Sequence, residues 1–284
     1  MKILYMNLPA AKENSEASQF FKNAYVPLLH KNVELVKSPD TEVVYRFCEW
    51  GLTSQDPCNY AYMDYLASVG VYYATRNAEE EGFDAVVIDC FGDTMLWEMR
   101  QALNIPVVGI GEASMLLAAS MANKFGIVHI SSFNIPGQEE RNERYGLTKR
   151  CAGIVPLSLT PTEQDQVLVD AGPAIEAFKR DCQPLIKAGA EILLPACSLI
   201  ACAMRVGIGV EDQYPNGFNE VDGVPVADVI GSALKMSEVL ASLKKGGSSW
   251  VSRKCTFARP TQLAIDNAKM VTDDIKLKYW DVTM

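Results

Sequence analysis

The sequence is poor in histidine and lacks the glycine motifs that bind nucleotides. Two histidines, His30 and His129, stand far apart among 284 residues, and the eight cysteines form no C-x-x-C pair. These shortages argue against a zinc site built from Cys and His and against a hydrolase built on imidazole. The run "GIGEAS" has Ser114 where a dinucleotide fingerprint needs its third glycine, and no P-loop pattern occurs. The sequence therefore predicts no metal and no nucleotide cofactor.

Basic residues are also in the minority, since 26 Lys and Arg stand against 35 Asp and Glu and the net charge is -9. Such an acidic chain is a poor partner for nucleic acid or an anionic membrane. No run of about 18 apolar residues occurs, so we expect no membrane-spanning helix. The start, "MKILYMNLPAAKEN", suits a first strand and lacks the apolar core of a signal peptide. We expect a cytoplasmic protein whose partner is a small molecule.

Short apolar runs alternate with helix-like segments along the chain. Strands are predicted for "KILYMNL", "VELVK", "DAVVIDC", "PVVGIG", "FGIVHIS", "EILLPAC" and "GVPVAD". Apolar strands separated by amphipathic helices are typical of a parallel sheet covered on both faces. The predicted class is α/β, with a Gly/Ser-rich linker over 244–255 and a last helix over about 260–278.

Two segments, "EEEGFDAVVIDCFGD" and "IKAGAEILLPACSLI", share one plan in which an apolar strand ends at a cysteine. The repeat suggests two similar halves, with Cys90 and Cys197 at matching places. In open α/β sheets, ligands bind beyond the carboxyl ends of the strands. A helix N-terminus there favours negative charge, so we expect a lowered pKa for both thiols.

The alternative for each cysteine is a small buried hydrophobe, which is a common role for that residue type. Two such positions in matching halves favour a function. One thiolate can remove a proton from a carbon acid while the other thiol delivers a proton to the opposite face, because thiol pKa values lie near working pH. Backbone N–H groups after each cysteine would stabilise the enolate, and Gly92 lets the backbone approach closely.

The run "IDCFGDTML" resembles the "CFGDPGL" signature of hydantoin and allantoin racemases in the aspartate/glutamate racemase superfamily. The segments "PVVGIGEASMLLAA", "GAEILLPACSLI" and "GVPVADVIGSALKMSE" resemble later family segments in the same order, so the resemblance covers about residues 1–243. It implies two flavodoxin-like lobes with parallel sheets, related by a pseudo-two-fold, and an active site in the cleft between them. We place lobe A at 1–115 plus 222–284, with a C-terminal extension after about 245, and lobe B at 116–221.

The resemblance also implies roles for individual residues. It makes Cys90 and Cys197 the acid–base pair of a cofactor-independent racemase or epimerase for a hydantoin-like or related carbon acid, and it suggests a homo-oligomer. The predicted substrate contacts are Asn7, Phe91, Gly92, Asp93, His129 and Ser198. A position beneath a loop remains open for His129, and a helix cap remains open for Ser198. Glu112 matches a family glutamate that could equally anchor a loop.

The chain departs from the family pattern in several places. Thr94 and Met95 replace the family's Pro-Gly, and the aromatic stretch "YRFCEWGLTSQDPCNYAYMDY" is predicted to form a pocket lid, a subunit contact or core. Two other functions stay open. One is a cis–trans isomerase or carbon–carbon lyase with a single cysteine nucleophile, and the other is a small-molecule binding or sensor protein without catalysis.

Overall fold

A computed structural model describes residues 1–53, 60–272 and 276–284. The strands in these residues are β1 (Lys2–Pro9), β2 (Glu42–Leu52), β3 (Ala85–Asp89), β4 (Val107–Gly109), β5 (Phe125–His129), β6 (Cys151–Pro156), β7 (Ile192–Ala196), β8 (Glu220–Val221), β9 (Val224–Pro225) and β10 (Tyr279–Thr283). The α-helices are α1 (Glu16–Phe20), α2 (Val26–Glu34), α3 (Ala61–Thr75), α4 (Leu96–Ala102), α5 (Ile110–Met121), α6 (Ile135–Arg144), α7 (Pro161–Gln166), α8 (Gly172–Asp181), α9 (Gln183–Lys187), α10 (Ser198–Val206), α11 (Val210–Gln213), α12 (Val229–Lys245) and α13 (Gln262–Thr272). A π-helical turn, Phe21–Tyr25, joins α1 to α2.

Two separate sheets carry the strands that matter for the site. The first has five strands in the order β10-β2-β1-β3-β4, and the second has three in the order β6-β5-β7. Neighbouring strands run parallel, except that β10 runs antiparallel to β2. Because consecutive parallel strands need crossover helices, this arrangement confirms the predicted α/β class.

Strand β1 shows why the first sheet needs helices on both faces. Ile3 and Tyr5 belong to one apolar cluster, whereas Leu4 and Met6 belong to another on the opposite face. Successive strand side chains point to opposite faces, so an all-apolar strand buries both. Helix α12 packs against β3 and β4 as well as α5, and α3 packs against β1 and β2.

The strand predicted at "VELVK" is wrong. Val33 and Glu34 are the last residues of α2, and Leu29 and Val33 are both buried one helical turn apart. The spacing of four residues between Leu29 and Val33 is typical of a helix. A short apolar run does not distinguish a strand from a buried helix segment. The predicted strand at "GVPVAD" shrinks to the two residues of β9, followed by a parallel bridge from Val226 to Leu193.

The structure also contains strands β2, β6 and β10, which the sequence pattern did not predict. The aromatic stretch begins inside β2, and its residues 54–59, with Cys58, lie outside the described residues. Leu52, Thr53 and Tyr65 from its described part line the central cavity, in agreement with a pocket role. The last helix is shorter than predicted because α13 ends at Thr272 and β10 follows.

Long-range contacts fix β10 on the edge of the first sheet. The guanidinium of Arg46 in β2 is buried and donates to both carboxylate oxygens of Asp281, at 2.7 and 2.8 Å, and to Glu81 at 2.6 Å. Trp280 stacks on Phe47 with ring centroids 4.5 Å apart. The C-terminal extension therefore completes the first sheet, and it does not lie apart as a tail.

The lobe boundaries at 1–115 plus 222–284 and at 116–221 stay a prediction. So do the homo-oligomer and the cytoplasmic location. In the described part of the chain, every α-helix is too short or too polar to cross a bilayer.

Candidate active site

The two cysteines singled out by the sequence reach the same cavity from different sheets. Cys90 follows the last residue of β3, and Cys197 follows the last residue of β7. Both line a cavity of about 590 Å³ beyond the carboxyl ends of these strands. Parallel strands deliver their last residues to one edge of a sheet, so two facing sheets bring two strand ends to one cleft.

The backbone after Cys90 forms a tight loop before the next helix. Asp93 and Met95 both have left-handed backbone conformations, with φ of 51° and 58°, and α4 begins only at Leu96. The Gly92 N–H donates to the Cys90 sulfur at 3.3 Å. This amide therefore binds the thiol. The sequence had predicted a helix N-terminus beside Cys90 and an amide directed at the substrate. A glycine at 92 suits the loop because a Cβ there would lie 3.3 Å from the same sulfur.

Cys197 stands directly before α10 as its N-cap residue. The pKa of the Cys197 thiol is raised to about 11, mainly by burial and to a lesser degree by the carboxylates of Asp89 and Asp165. The N–H groups of Ile200 and Leu199 act in the opposite direction. The predicted lowering of this pKa is wrong because desolvation outweighs the helix N-terminus.

The carboxylate of Asp93 is held by protein donors. Its Oδ1 accepts from the Gly111 N–H at 2.9 Å, and its Oδ2 accepts from the Glu112 N–H at 2.7 Å and from the Tyr145 hydroxyl at 2.8 Å. Burial raises the pKa of Asp93 to about 6 against these bonds. Asp93 lines the cavity, but its oxygens are used to fix the loop, so a substrate contact is not the main role of this side chain.

The packing of Asp93 explains the two glycines of the run "GIGEAS". A Cβ at Gly109 would lie 2.0 Å from Asp93 Oδ1, and one at Gly111 would lie 2.4 Å from the Phe91 carbonyl oxygen. Glycine is therefore required at both positions for the Cys90 loop to pack on the start of α5. Glu112 forms a salt bridge with Arg100, which joins α5 to α4, and it is not among the residues that line the cavity.

His129 and Ser198 line the cavity, as does Gly92, in agreement with their predicted positions. The pKa of His129 is lowered to about 4, first by burial and then by the charge of Arg141, so its imidazole is neutral near pH 7. His129 Nδ1 contacts the backbone of Ser131 at 3.0 and 3.2 Å. The other ring nitrogen is the one that remains to face a ligand.

Two of the predicted substrate contacts face the protein interior. Asn7 is fully buried and donates from Nδ2 to the backbone oxygens of Tyr5 and Arg46, at 3.2 and 3.3 Å. It is not among the residues that line the cavity. Phe91 reaches the cavity wall, but its ring belongs to the main apolar cluster. Neither placement supports direct substrate binding by the side chain.

The cavity also contains residues that the sequence did not single out. Arg141 of α6 lines it and donates from Nε and Nη2 to Gln138 Oε1, at 3.2 and 3.0 Å. Asp89 and Tyr25 lie beside the two cysteines. Aromatic and aliphatic walls are formed by Phe20, Phe21, Tyr65, Met95, Leu96 and Trp97. Asp89 and the run from Met95 to Trp97 flank Cys90 in sequence, whereas Phe20, Tyr25 and Arg141 come from distant segments.

The other cysteines that the structure describes are not among the residues that line this cavity. Cys48, Cys182 and Cys202 are buried, Cys151 is half-buried, and Cys255 is exposed. In residues 1–53, 60–272 and 276–284, no group of three or more His, Cys, Asp or Glu side chains is arranged to hold a metal ion.

Comparison with known proteins identifies the family of this chain. The sequence profile of the family described as Asp/Glu/Hydantoin racemase matches residues 53–236, more than half of the chain. A hydantoin racemase from Pseudomonas sp. (strain NS671) is 30% identical over 209 residues, which are 72% of this chain and 78% of that relative.

Solved structures support the predicted fold of two flavodoxin-like lobes. An allantoin racemase from Klebsiella pneumoniae superposes with a TM-score of 0.71 at 24% identity, covering 92% of this chain and 94% of that one. An allantoin racemase from Pseudomonas fluorescens superposes with a TM-score of 0.70 at 24% identity, covering 92% and 97%. The chain therefore belongs to the Asp/Glu/Hydantoin racemase family and is an isomerase of the racemase type.

Proposed function

We propose that this protein racemises 5-substituted hydantoins without a cofactor, by proton transfer between Cys90 and Cys197. The observation that carries the proposal is that both thiols border one cavity from separate sheets. The curated relative named above, a hydantoin racemase, supports the ring class. Two bases on opposite sides of a carbon acid produce inversion, which one base cannot do alone.

We assign the two thiols different starting states. Because burial raises the pKa of Cys197 to about 11, this residue is a protonated acid near neutral pH. The Cys90 thiolate would then remove the C5 proton of the ring, and the electron pair would move onto the adjacent carbonyl as an enolate. The Cys197 thiol would deliver its proton to the opposite face of C5. Cys90 ends protonated and Cys197 ends as the thiolate, which is the starting state for the other enantiomer.

The enolate needs donors that do not already hold a sulfur. The Gly92 amide is engaged by Cys90, so we assign this role to the side chains of His129 and Arg141. The neutral imidazole of His129 and the guanidinium of Arg141 both line the cavity. A cation and a neutral donor near the ring carbonyl would lower the energy of the enolate in a partly desolvated site.

The size of the cavity favours a large substituent at C5. Its volume of about 590 Å³ is in the range of sites for drug-sized ligands and far exceeds one five-membered ring. Phe20, Met95 and Trp97 are among the apolar residues that line the cavity. We therefore propose that 5-benzylhydantoin is a better substrate than allantoin, whose substituent is a polar ureido group.

The test uses single enantiomers of 5-benzylhydantoin and of allantoin in deuterated water, with optical rotation and deuterium content followed together. We expect loss of rotation with one deuterium gained at C5. Cys90→Ser and Cys197→Ser should each abolish racemisation and retain exchange on one enantiomer only, opposite for the two variants. Cys255→Ser is the matched control because this thiol is exposed and outside the cavity, and it should leave the rate unchanged.

Racemisation at the wild-type rate in either active-site variant would exclude the two-base scheme. A covalent adduct on one cysteine, seen by intact-protein mass spectrometry, would favour the isomerase or lyase alternative. Binding without exchange or adduct would favour the sensor alternative.

A further inference from the structure

Three polar side chains meet between the two cysteine segments. The Tyr25 hydroxyl donates to Asp89 Oδ2 at 2.6 Å, and Ser198 Oγ lies 3.2 Å from the same hydroxyl. Ser198 Oγ also lies 3.4 Å from the backbone oxygen of Asp89. All three residues are buried, with exposed fractions of 1%, 2% and 9% for Tyr25, Asp89 and Ser198. Polar groups buried to this degree act on one another with little screening by solvent.

The position of these residues in the chain gives the cluster its meaning. Asp89 is the last residue of β3 and directly precedes Cys90. Ser198 is the first residue of α10 and directly follows Cys197. Tyr25 ends the π-helical turn that joins α1 to α2, and such turns occur frequently at functional sites. The cluster therefore connects the end of a strand in the first sheet with the helix that follows a strand in the second.

The number of hydroxyl protons determines which hydrogen bonds Tyr25 and Ser198 can donate. A tyrosine hydroxyl has one proton, and the short contact to a carboxylate uses it. Ser198 must then donate its single proton either to Tyr25 or to the backbone oxygen of Asp89. Oδ1 of Asp89 has no hydrogen-bond partner among the described residues. Tyr25 is therefore the main protein donor to a buried carboxylate, and its loss would leave that group poorly satisfied.

We propose that Tyr25 is a positioning residue of the two-base reaction, because its hydroxyl joins Asp89 and Ser198 and so holds the Cys90 and Cys197 segments at one separation. This inference rests on the proposed racemase function. The two thiols must face opposite sides of one carbon atom, so a small change in their separation affects the chemical step more than substrate binding. A displacement of about 1 Å can lower a rate about 100-fold.

The test compares two buried tyrosines. Tyr25→Phe removes the hydroxyl of the cluster, and Tyr5→Phe is the matched control because Tyr5 is also buried and donates to the backbone oxygen of Ile230, at 3.1 Å. We expect Tyr25→Phe to lower kcat for 5-benzylhydantoin at least 10-fold with KM changed less than 3-fold. The control should leave kcat within about 2-fold.

Ser198 provides a second, gentler perturbation. Ser198→Ala should lower kcat, whereas Ser198→Thr retains the hydroxyl and should restore most of it. The double variant of Tyr25→Phe with Ser198→Ala should lose little more than Tyr25→Phe alone, because both changes remove one shared interaction. Losses that multiply in the double variant would mean that the two residues act independently, and the proposal would be wrong.

A readout without turnover separates this proposal from the proposed function. Peptide mass spectrometry gives the rate at which iodoacetamide alkylates Cys90 and Cys197. The Asp89 carboxylate raises the pKa of Cys197, and the bond from Tyr25 lowers the pKa of Asp89 and so favours its ionised form. Tyr25→Phe should therefore increase alkylation of Cys197 at pH 7.5, and Tyr5→Phe should not.

The two failures look different. A wild-type protein inactive on hydantoins, with the Tyr25 effect on alkylation still present, would overturn the substrate but keep the link between the cysteine segments. An active wild type whose Tyr25→Phe variant keeps its kcat and its alkylation rates would overturn the positioning role. An equal fall in kcat for Tyr25→Phe and Tyr5→Phe would mean that both changes destabilise the protein in general. That result would also overturn the positioning role.

Discussion

Gly111→Ala tests whether the start of α5 sets the position of the Cys90 loop. An alanine Cβ at this position would lie 2.4 Å from the Phe91 carbonyl oxygen and 2.7 Å from Asp93 Oδ2. A side-chain contact closer than 3.0 Å requires something to shift, and the nearest atom here is backbone. The Phe91 carbonyl, one residue after Cys90, must therefore move by roughly 0.6 to 1 Å to reach an ordinary contact distance.

The expected magnitudes differ for activity and stability. Overpacking costs about 1–3 kcal/mol, while alanine gains about 1 kcal/mol over glycine inside a helix. The net loss of about 0–2 kcal/mol should lower Tm by no more than about 8 °C. Under the proposed mechanism, the same displacement beside Cys90 should lower kcat/KM about 100-fold. A large loss of activity with a small loss of stability is the expected signature.

The assay pairs a thermal melt with the rate of racemisation of 5-benzylhydantoin. Gly246→Ala is the control, because this glycine ends α12 with φ of -77° and a Cβ there meets only carbonyl oxygens at 3.4 and 3.6 Å. Retention of kcat/KM within 2-fold in Gly111→Ala would refute the reasoning. A Tm loss well above 10 °C would show that helix packing, and not the loop, takes the strain.

Two further predictions concern stability. Burial raises the folded-state pKa of Asp89 to about 7, above about 3.9 in the unfolded chain, so its contribution to stability is complete below pH 4 and is lost as pH rises through 7. The loss of stability amounts to about 4 kcal/mol, and Asp89→Asn should remove this pH dependence. The Tm of the variant relative to wild type should therefore rise between pH 5 and 8. A Tm difference that stays constant over this range would contradict the prediction. Trp280→Ala removes the stack on Phe47 and the 2.8 Å bond to the Ala11 backbone oxygen, and it should cost about 3–5 kcal/mol in urea unfolding. Trp250→Ala, at a half-buried position in a largely exposed linker, should cost less than about 1 kcal/mol, and equal losses would show that β10 is not fixed by its tryptophan.

The sequence sufficed for the features that depend on local pattern. Cys90 and Cys197 follow continuously apolar strands, and the ends of such strands can be read from composition alone. The parallel α/β class follows from the same alternation. Strand β10 was missed because its pairing partner lies more than two hundred residues earlier, and its stability comes from Arg46 and Phe47.

The roles of polar residues were harder to predict than their positions. Asp93 and His129 both border the cavity, as the sequence indicated, yet the carboxylate of Asp93 is occupied by donors from α5 and from Tyr145. A sequence shows that an acid follows a cysteine but does not show which donors the fold brings to it. The predicted pKa of the Cys197 thiol was wrong for a related reason. The helix N-terminus can be read from the sequence, but the degree of burial cannot.

Cys90 lies between two buried carboxylates, and each of them receives the hydroxyl of a tyrosine from another part of the chain. Asp89 is bound by Tyr25 at 2.6 Å, and Asp93 is bound by Tyr145 at 2.8 Å. Tyr145 follows α6 in the proposed lobe B, and Tyr25 leads through Ser198 to the other cysteine, so both bonds link the Cys90 loop to the second lobe. Such a doubly held loop is pre-organised, because its thiol needs no rearrangement to face the cavity. Removing either tyrosine hydroxyl should therefore lower the rate of proton transfer more than it lowers the stability of the fold.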